Sequence, residues 1–557
     1  KGNFDDDLLP SIVNNFKKDA IQEAETYGGR ANLLMQAFTG KIDWRDQVAY
    51  VNDLQKITKA DVVAFANKYL GDNYVAVYKK KGERTNVEKI EKPAITPVET
   101  NADKQSAFVK MINDMPSTPV EPLFLDYNKD IQKSKLGKAE VLAVQNKDND
   151  LFRLSFRYKI GTFNDLKMGL AAQYIQFLGT DKKSAEQISK EFYKIASSFK
   201  VSTGEDYTYV NIEGLQENFA AAVALYEDLV SHVKLDEEAL KSLKARMAKY
   251  RTDVKANRNQ IMQALTSYAL YGAKNKYNHV LSNAELEATS AAELVDRLKK
   301  LNDVEQTIIY YGPASISELT KQLGKLHKVP AKFAKVPQAQ QFKQETQTKN
   351  TVLFTDYEMV QAETRWVRNT DTYNPAETTT IRVFNNYFGG SMGSLVFQTI
   401  RESKALAYST YGFYKIPTKK EDKYYMLSYV GAQADKFQEA VAAMNELLTT
   451  MPELPANFEL AKEQLRKDIQ TERITQDDII YDYLNAQRLG LKEDIRKSVY
   501  QNVDKITFKD IQAFHDKYLS KKPYTYVILA SEKKLPQAEL QKIGEFKKVS
   551  LEELFGF

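Results

Sequence analysis

The sequence of 557 residues contains no cysteine, which excludes disulfide bonds, thiolate metal sites and cysteine nucleophiles. The cellular compartment stays open, because a chain without cysteine suits an oxidising and a reducing environment alike. The 33 tyrosines are typical of strand-rich surfaces, and they favour a periplasmic or exported protein over a cytoplasmic one.

Long hydrophobic runs are also missing, since no stretch approaches the ~18 apolar residues that a membrane-spanning helix needs. Neither sign of charge dominates: 79 Lys and Arg stand against 74 Asp and Glu, without a basic run interleaved with aromatic residues. We therefore predict no membrane span and no nucleic-acid partner. With 43% hydrophobic residues, the chain has enough apolar material for more than one folded core.

What the sequence does contain is a repeat. Residues 56–70 read KITKADVVAFANKYL, and residues 505–519 read KITFKDIQAFHDKYL. In each, a threonine stands three residues before an aspartate, which is the spacing of a capping box at the start of a helix. Apolar residues follow at helical spacing, and β-rich runs come next at residues 74–78 and 524–528. Each copy is predicted to be a capped helix followed by a strand.

A third copy begins at Ser290 and leads to a strand-like run at residues 306–311. Ser290 and Thr507 are 217 residues apart, and the same interval relates Gly214 to Gly431. A period near 220 residues has the size of a domain.

This period predicts two complete modules, residues 135–335 and 336–557, and the tail of an earlier module at residues 1–85. Alternating residues such as 151–158 predict strands, and runs such as 220–230 predict amphipathic helices. The predicted fold class is α+β, with repeated α/β sandwich modules that each consist of a mixed or antiparallel sheet covered by helices.

Residues 86–134 differ from the modules and are predicted to be an interdomain linker. They contain prolines that interrupt regular structure, at Pro93, Pro97, Pro116, Pro119 and Pro122. Two interpretations stay open, a hinge between two bodies that move and a passive spacer. Because residues 1–85 resemble only the end of a module, we expect the chain to be the C-terminal part of a longer polypeptide.

Histidine is scarce, and none of the histidines has a second His or Glu at the spacing of a helical metal site. They are His232, His279, His327 and His515. His515 falls in the repeated helix, where the other copy has Ala66, so a methyl group can take its place. The sequence therefore predicts structural or surface histidines, and no metal site on this chain.

The glycine-rich run GGSMGS at residues 389–394 has two interpretations. Backbone N–H groups at a helix start bind phosphate, but the run lacks the Gly-Lys-Ser/Thr ending of a phosphate loop. The alternative is that Ser394 caps the following helix, while the glycines allow a close approach to a neighbouring backbone.

Residues 384–414, FNNYFGGSMGSLVFQTIRESKALAYSTYGFY, resemble the C-terminal motif of the insulinase/pitrilysin family of zinc metallopeptidases. Arg401, Glu402, Leu406 and Tyr408 fall at the spacing of that family, whereas Ala405 stands where a glycine is usual. The resemblance implies four homologous domains with a hinge in the middle. On that map residues 1–85 end domain two, residues 86–134 form the hinge, and the complete modules are domains three and four.

The resemblance also implies that zinc is bound outside this chain, by a His-x-x-Glu-His helix of the absent N-terminal portion. The corresponding stretch of domain three, residues 161–180, has Ala172, Ile175 and Gln176 at the ligand and base positions. None of these side chains suits zinc binding or proton transfer. Domain three is thus predicted to be an inactive copy.

By the same resemblance, Arg401 and Tyr408 contact the substrate near the scissile carbonyl. A guanidinium and a phenol both donate hydrogen bonds to an oxygen that gains negative charge. The competing interpretation is purely structural, with an arginine favoured at a helix C-terminus and a tyrosine that fills a strand.

We therefore expect the C-terminal half of a zinc-dependent endopeptidase that encloses peptides, with the zinc supplied by the N-terminal half of the same polypeptide or by a partner subunit. This chain alone is expected to be inactive. The alternatives are a non-catalytic peptide-binding or scaffold subunit of the same fold, and an assembly component without a peptide site.

Overall fold

A computed structural model describes residues 2–82, 106–116, 118 and 120–557. Its α-helices are α1 Leu8–Glu25, α2 Tyr27–Gly40, α3 Trp44–Leu54, α4 Lys59–Tyr69, α5 Ala107–Asn113, α6 Lys167–Tyr174, α7 Ala185–Lys194, α8 Phe219–His232, α9 Glu237–Lys255, α10 Arg258–Tyr271, α11 Asn283–Ala288, α12 Ala291–Lys299, α13 Ile316–Leu326, α14 Thr378–Phe388, α15 Phe437–Thr449, α16 Pro455–Thr471, α17 Asp478–Arg488, α18 Ile495–Asn502, α19 Phe508–Tyr518, α20 Gln537–Leu540 and α21 Leu551–Phe555. A π-helix spans Phe397–Ser403.

The strands form two six-stranded sheets within the described residues. They are β1 Gln132–Leu136, β2 Ala139–Gln145, β3 Leu151–Tyr158, β4 Ser198–Thr203, β5 Thr208–Leu215, β6 Gln306–Gly312, β7 Thr351–Asp356, β8 Gln361–Thr372, β9 Ala407–Lys415, β10 Lys423–Gln433, β11 Thr525–Ala530 and β12 Glu545–Lys548. We call the elements from β1 to α13 the first unit, and those from β7 to α21 the second unit.

The two sheets share the topology of five of their six strands. The first has the order β1-β2-β6-β3-β5-β4, and the second has the order β12-β7-β11-β8-β10-β9. In both sheets, the five strands from β2 to β6 or from β7 to β11 are arranged alike: the first and last pair in parallel, and the other pairs are antiparallel. The sixth strand differs, because β1 is antiparallel to β2 whereas β12 is parallel to β7. The predicted α+β class with repeated sandwich modules is confirmed, whereas the domain limits drawn from the sequence stay predictions.

Residues 151–158 form β3, and their side chains alternate between the two faces of the sheet as predicted. Phe152, Leu154 and Phe156 are buried against the helices of the first unit. Arg153 points to the opposite face, where its guanidinium forms an ion pair of 2.9 Å with Asp477, the residue before α17. Strand side chains alternate between the two faces of a sheet, so this pattern fixes which face carries the core.

The capped helices are also confirmed, because α4, α12 and α19 each begin with a capping box. In α19 the backbone N–H of Thr507 donates to Asp510 at 2.8 Å, and in α4 that of Thr58 donates to Asp61 at 2.9 Å. The strand predicted to follow α4 is wrong. Residues 74–78 are irregular, with Val75 and Val77 each 90% exposed, because no strand among the described residues pairs with them.

One helix of each unit packs against the sheet of the other unit. In the first unit, α10 packs Ile261 and Leu265 against Val367 and Val527 of the second sheet. In the second unit, α17 packs Ile480 and Leu484 against the first sheet, on the face that carries Leu142 and Ile309. Both helices follow the long helix of their own unit, α9 or α16, so the exchange is reciprocal.

The predicted linker, residues 86–134, lies in large part outside the described residues. Its described end packs on the second unit before entering the first sheet as β1. The backbone N–H of Leu125 donates to Asp494 at 3.0 Å, and the Tyr127 hydroxyl donates to Asp482 at 2.6 Å. Among the described residues, no helix is long and apolar enough to cross a lipid bilayer.

Candidate functional site

The structure brings Arg401 and Tyr408 together at the start of β9, one of the two edge strands of the second sheet. The guanidinium carbon of Arg401 lies 5.0 Å from the ring centre of Tyr408 and 4.7 Å from that of Phe397. Its Nε lies 3.5 Å from a carboxylate oxygen of Glu402. The Tyr408 side chain is 78% exposed. Two hydrogen-bond donors, a phenol and a guanidinium, are therefore presented to solvent at one point of the sheet edge.

Local backbone irregularities place these two side chains. Arg401 lies in the last turn of the π-helix, a form of helix that is often found at functional sites. Ala405 then turns the chain with a φ of 47°, in the left-handed region where an L-residue is strained. Tyr408 is the extra residue of a β-bulge, because Ser409 pairs with Gly431 while Ala407 pairs with Ala432. Bulges re-aim side chains in this way.

The glycine-rich turn before the π-helix meets one prediction and contradicts another. A Cβ on Gly389 would lie 2.3 Å from the backbone nitrogen of Gly412, so the predicted close approach to a neighbouring backbone is confirmed. The predicted cap by Ser394 is wrong. Its hydroxyl donates to the carbonyl of Ser391 at 2.6 Å instead of accepting from the following turn.

Further along β9, aromatic side chains form a row that extends onto β10. The rings of Tyr411 and Tyr429 stack with their centres 4.9 Å apart, and Phe413 lies 5.4 Å from Tyr411. Burial raises the pKa of Tyr429 to about 12, so its phenol keeps its proton at neutral pH. The row offers neutral, half-buried aromatic surface beside the exposed Arg401 and Tyr408.

The helix that aligns with the family's zinc helix has no metal-binding character. Ala172 and Ile175 are buried apolar side chains, and Gln176 is exposed with an amide in place of an imidazole or carboxylate. Across the described residues, no group of three or more His, Asp or Glu side chains is arranged to hold a metal ion. The residues at this position do not fit zinc.

The histidines serve different local roles. His327 is buried between Glu227, 2.7 Å from Nδ1, and Gln306, 3.0 Å from Nε2. His515 is fully buried, and its Nε2 lies 3.1 Å from the carbonyl oxygen of Leu447. Burial lowers the pKa of His515 and of His279, whereas His232 lies on the surface beside Asp228.

Sequence reasoning missed Phe397, whose ring supports the Arg401 guanidinium. A signal was present, because the two residues are four apart on a helix, and side chains at that spacing meet. It also missed the β-bulge at Tyr408, since a bulge is set by the pairing of two strands and leaves no local mark in the sequence.

Comparison with known proteins adds the family. Residues 171–284 match the family model described as "Insulinase (Peptidase family M16)", and residues 301–465 match "Peptidase M16 inactive domain". The chain belongs to the insulinase family of peptidases. The resemblance seen in residues 384–414 is thereby confirmed.

Relatives of this insulinase-family chain agree in sequence and in fold. It is 26% identical over 316 residues to the "Uncharacterized zinc protease YmxG" of Bacillus subtilis, which covers 53% of this chain and 71% of that protein. The peptidase M16 inactive domain from Pseudomonas fluorescens superposes with a TM-score of 0.56 at 16% identity, covering 72% of this chain and 98% of the other. The periplasmic protease PqqL from Escherichia coli gives 0.58 at 11%, covering 88% and 55%. At these identities the two structures show the shared fold.

Proposed function

We propose that this chain forms the C-terminal portion of a zinc-dependent endopeptidase, in which it supplies part of the peptide-binding wall and the contacts of Arg401 and Tyr408. The observation that carries the proposal is their juxtaposition at an exposed sheet edge, 5.0 Å from guanidinium carbon to ring centre. Donors fixed where negative charge develops lower the barrier to peptide hydrolysis. The zinc belongs to a portion outside this sequence.

The exposed apolar face of α4 supports a further module that would cover it. In the second unit the equivalent helix α19 buries Phe514 and Tyr518 to 6% and 5% exposure. In α4 the matching Phe65 and Tyr69 are 64% and 55% exposed. A capped amphipathic helix is built to pack its apolar face on a sheet. We infer that a sheet from the zinc-bearing portion covers α4, whether on the same polypeptide or on a partner subunit.

The edge strand β9 supports a peptide as the substrate. An extended chain alongside β9 would run past Tyr408 and the aromatic row, which provide hydrogen-bond donors and apolar surface. The periplasmic or exported location favoured by the tyrosine content is part of this proposal, and the relative PqqL is a periplasmic protease by its name.

The test uses the zinc-bearing portion together with this chain, and compares Tyr408→Phe and Arg401→Lys with the unaltered protein. Tyr408→Phe removes one hydroxyl from an exposed side chain, so kcat/KM should fall by ~10²-fold while the melting temperature stays the same. Arg401→Lys keeps the charge but loses the planar fork of donors, and turnover should fall as well.

Tyr193→Phe is the matched control, because it removes a hydroxyl from a part-exposed tyrosine of α7, which lies outside β9 and the aromatic row. Its kinetics should be close to those of the unaltered protein. Unchanged kinetics in Tyr408→Phe would defeat the role proposed here.

This chain purified alone should bind no stoichiometric zinc and cleave no peptide. One tightly held zinc per chain after dialysis would contradict the proposal that the zinc is bound by another portion.

The alternative, a non-catalytic scaffold or peptide-binding subunit, predicts a different outcome. In that case a partner portion without His-x-x-Glu-His would associate with this chain, and no combination would hydrolyse peptides. Both substitutions would then alter peptide affinity alone.

A further inference from the structure

A cleft of about 1080 Å³ lies in the first unit beside β4, the edge strand that corresponds in position to β9 of the second sheet. Its walls come from β3, β4 and β5, from α6 and the turn after it, from α9, and from the start of α17 of the second unit. We call it the β4 cleft. Cavities of this size accommodate several side chains of a peptide.

The β4 cleft lies along the edge of the sheet. Four consecutive residues of β4, from Ser198 to Val201, line it. Since consecutive strand residues point to opposite faces, a cavity that meets all four must lie beside the strand. β4 is the last strand in its sheet, and no strand among the described residues pairs with its outer side. Its outward N–H and C=O groups form a template for one more strand.

One wall of the β4 cleft is apolar and accessible. Phe177 after α6 and Tyr250 on α9 are 37% and 60% exposed, and Met247 of α9 also lines the cleft. Exposed aromatic surface of this kind, lining a concave site, receives apolar side chains of a ligand. A peptide lying along β4 would place alternate side chains against this wall.

The charges of the β4 cleft favour an acidic ligand. Arg246 holds its guanidinium carbon 4.3 Å from the ring centre of Phe177. Arg153 is already paired with Asp477 at 2.9 Å and with Glu25. Lys200 alternates with the core-facing Phe199 and Val201, so it lies on the opposite face of the sheet, which also carries Glu213. On the helix-covered face, no carboxylate among the described residues lies within 4 Å of the Arg246 guanidinium, so a negative partner can bind there.

We propose that the β4 cleft binds an extended peptide segment, which pairs with β4 as an added strand and directs an acidic side chain to Arg246. That the added strand is a substrate-like peptide rests on the proposed function, while the strand pairing and the preference for acidic residues rest on the geometry. Ala172 and Gln176 line the same cleft and supply neither metal ligand nor base, so the segment is held there without being cut.

The experiment measures binding to the zinc-free 557-residue chain, so it does not depend on turnover. The probe is a fluorescein-labelled nine-residue peptide of alternating valine and threonine with a central glutamate, followed by fluorescence polarisation. Saturable binding is expected, with hydrogen-exchange protection of the amides at residues 198–202. Replacing the glutamate by lysine, or N-methylating alternate residues of the peptide, should weaken binding about tenfold.

Arg246→Glu should weaken binding of the acidic peptide about tenfold. Lys241→Glu is its matched control, because Lys241 lies on the same helix with a side chain that is 79% exposed and outside the cleft; its affinity should be unchanged. Equal affinity in Arg246→Glu and the unaltered chain would overturn the proposal, as would protection that avoids residues 198–202 or an absence of saturable binding. Failure of the peptidase proposal would show instead as unchanged turnover in Tyr408→Phe, with peptide binding to the β4 cleft intact.

Discussion

Ala405 occupies a backbone conformation that glycine adopts without strain. Its φ of 47° costs an L-residue about 1–2 kcal/mol, and the residue is exposed, so removing its methyl group leaves no cavity. Ala405→Gly should therefore raise the free energy of unfolding by about 0.5–1 kcal/mol, after the extra flexibility of glycine in the unfolded chain is subtracted. Urea unfolding measures it.

The control is Ala407→Gly, two residues later in β9, where the methyl group is buried and the backbone is extended. There glycine should destabilise, by about 0.5–1 kcal/mol. If Ala405→Gly destabilises as much as Ala407→Gly does, the strain assigned to Ala405 is absent.

His515 makes stability depend on pH. Burial lowers its pKa below the ordinary 6.5, against the opposing effects of the Leu447 carbonyl and Asp516. The unfolded chain binds a proton near pH 6.5 while the folded chain does not, so stability is complete above that pH and is lost as the pH falls below it. Between pH 7.5 and 5.5, the unaltered chain should therefore lose more stability than His515→Ala.

That comparison separates the proton from the packing, because His515→Ala leaves a cavity that costs stability at every pH. The quantity to compare is thus the loss between the two pH values in each protein, measured by urea unfolding. Equal losses would show that His515 does not titrate on unfolding in this range.

At the scale of single residues, the sequence predicted which residues belong to the site, but it did not predict the surroundings of each side chain. The spacing of Arg401 and Tyr408 was readable, because it belongs to a motif. The support from Phe397, the strain at Ala405 and the full burial of His515 depend on which strand or helix lies opposite, and such contacts between distant residues leave no local pattern.

The repeated capped helices offer a comparison between two elements of nearly the same sequence. Thr507→Ala removes the hydroxyl of the α19 capping box, and α19 packs on the core of the second unit. The free energy of the main unfolding transition should fall by about 1 kcal/mol. Thr58→Ala makes the same change in α4, whose apolar face is exposed, so the main transition should stay where it is.

Thermal unfolding followed by circular dichroism distinguishes the two variants. A loss in Thr58→Ala as large as that in Thr507→Ala would mean that α4 is part of the cooperative core.

The same contrast explains which helices and strands could be predicted from the sequence. Capping boxes and helical spacing are local, and those helices were confirmed; a strand needs a partner, and residues 74–78 have none among the described residues.

The exchange of α10 and α17 joins the two units into one cooperative body. Leu265 of α10 is fully buried against the second sheet, so Leu265→Ala should cost about 2–5 kcal/mol. Because its partners belong to the other unit, the loss should appear as faster hydrogen exchange in β11 as well as in α10. Calorimetry of the unaltered chain should show one main transition for both units.

The control is Leu294→Ala in α12, a fully buried leucine that packs within the first unit alone. It should speed exchange in β6 at least as much as in β11. Unchanged hydrogen exchange of β11 in Leu265→Ala, or two well-separated transitions, would show that the units unfold independently.

The repeat itself could be predicted from the 217-residue interval. The packing of α10 and α17 on the sheet of the other unit could not, because either sheet would satisfy the same helical pattern.

The reciprocal exchange also sets an order of events during synthesis. The first sheet is complete once β6 has left the ribosome, yet the face that carries Leu142 and Ile309 waits for α17, roughly 170 residues later. At ~5–20 residues per second, that face stays uncovered for about 10–35 s. We therefore expect a nascent chain, or a truncation that ends before α17, to expose this apolar face to chaperones and to aggregation.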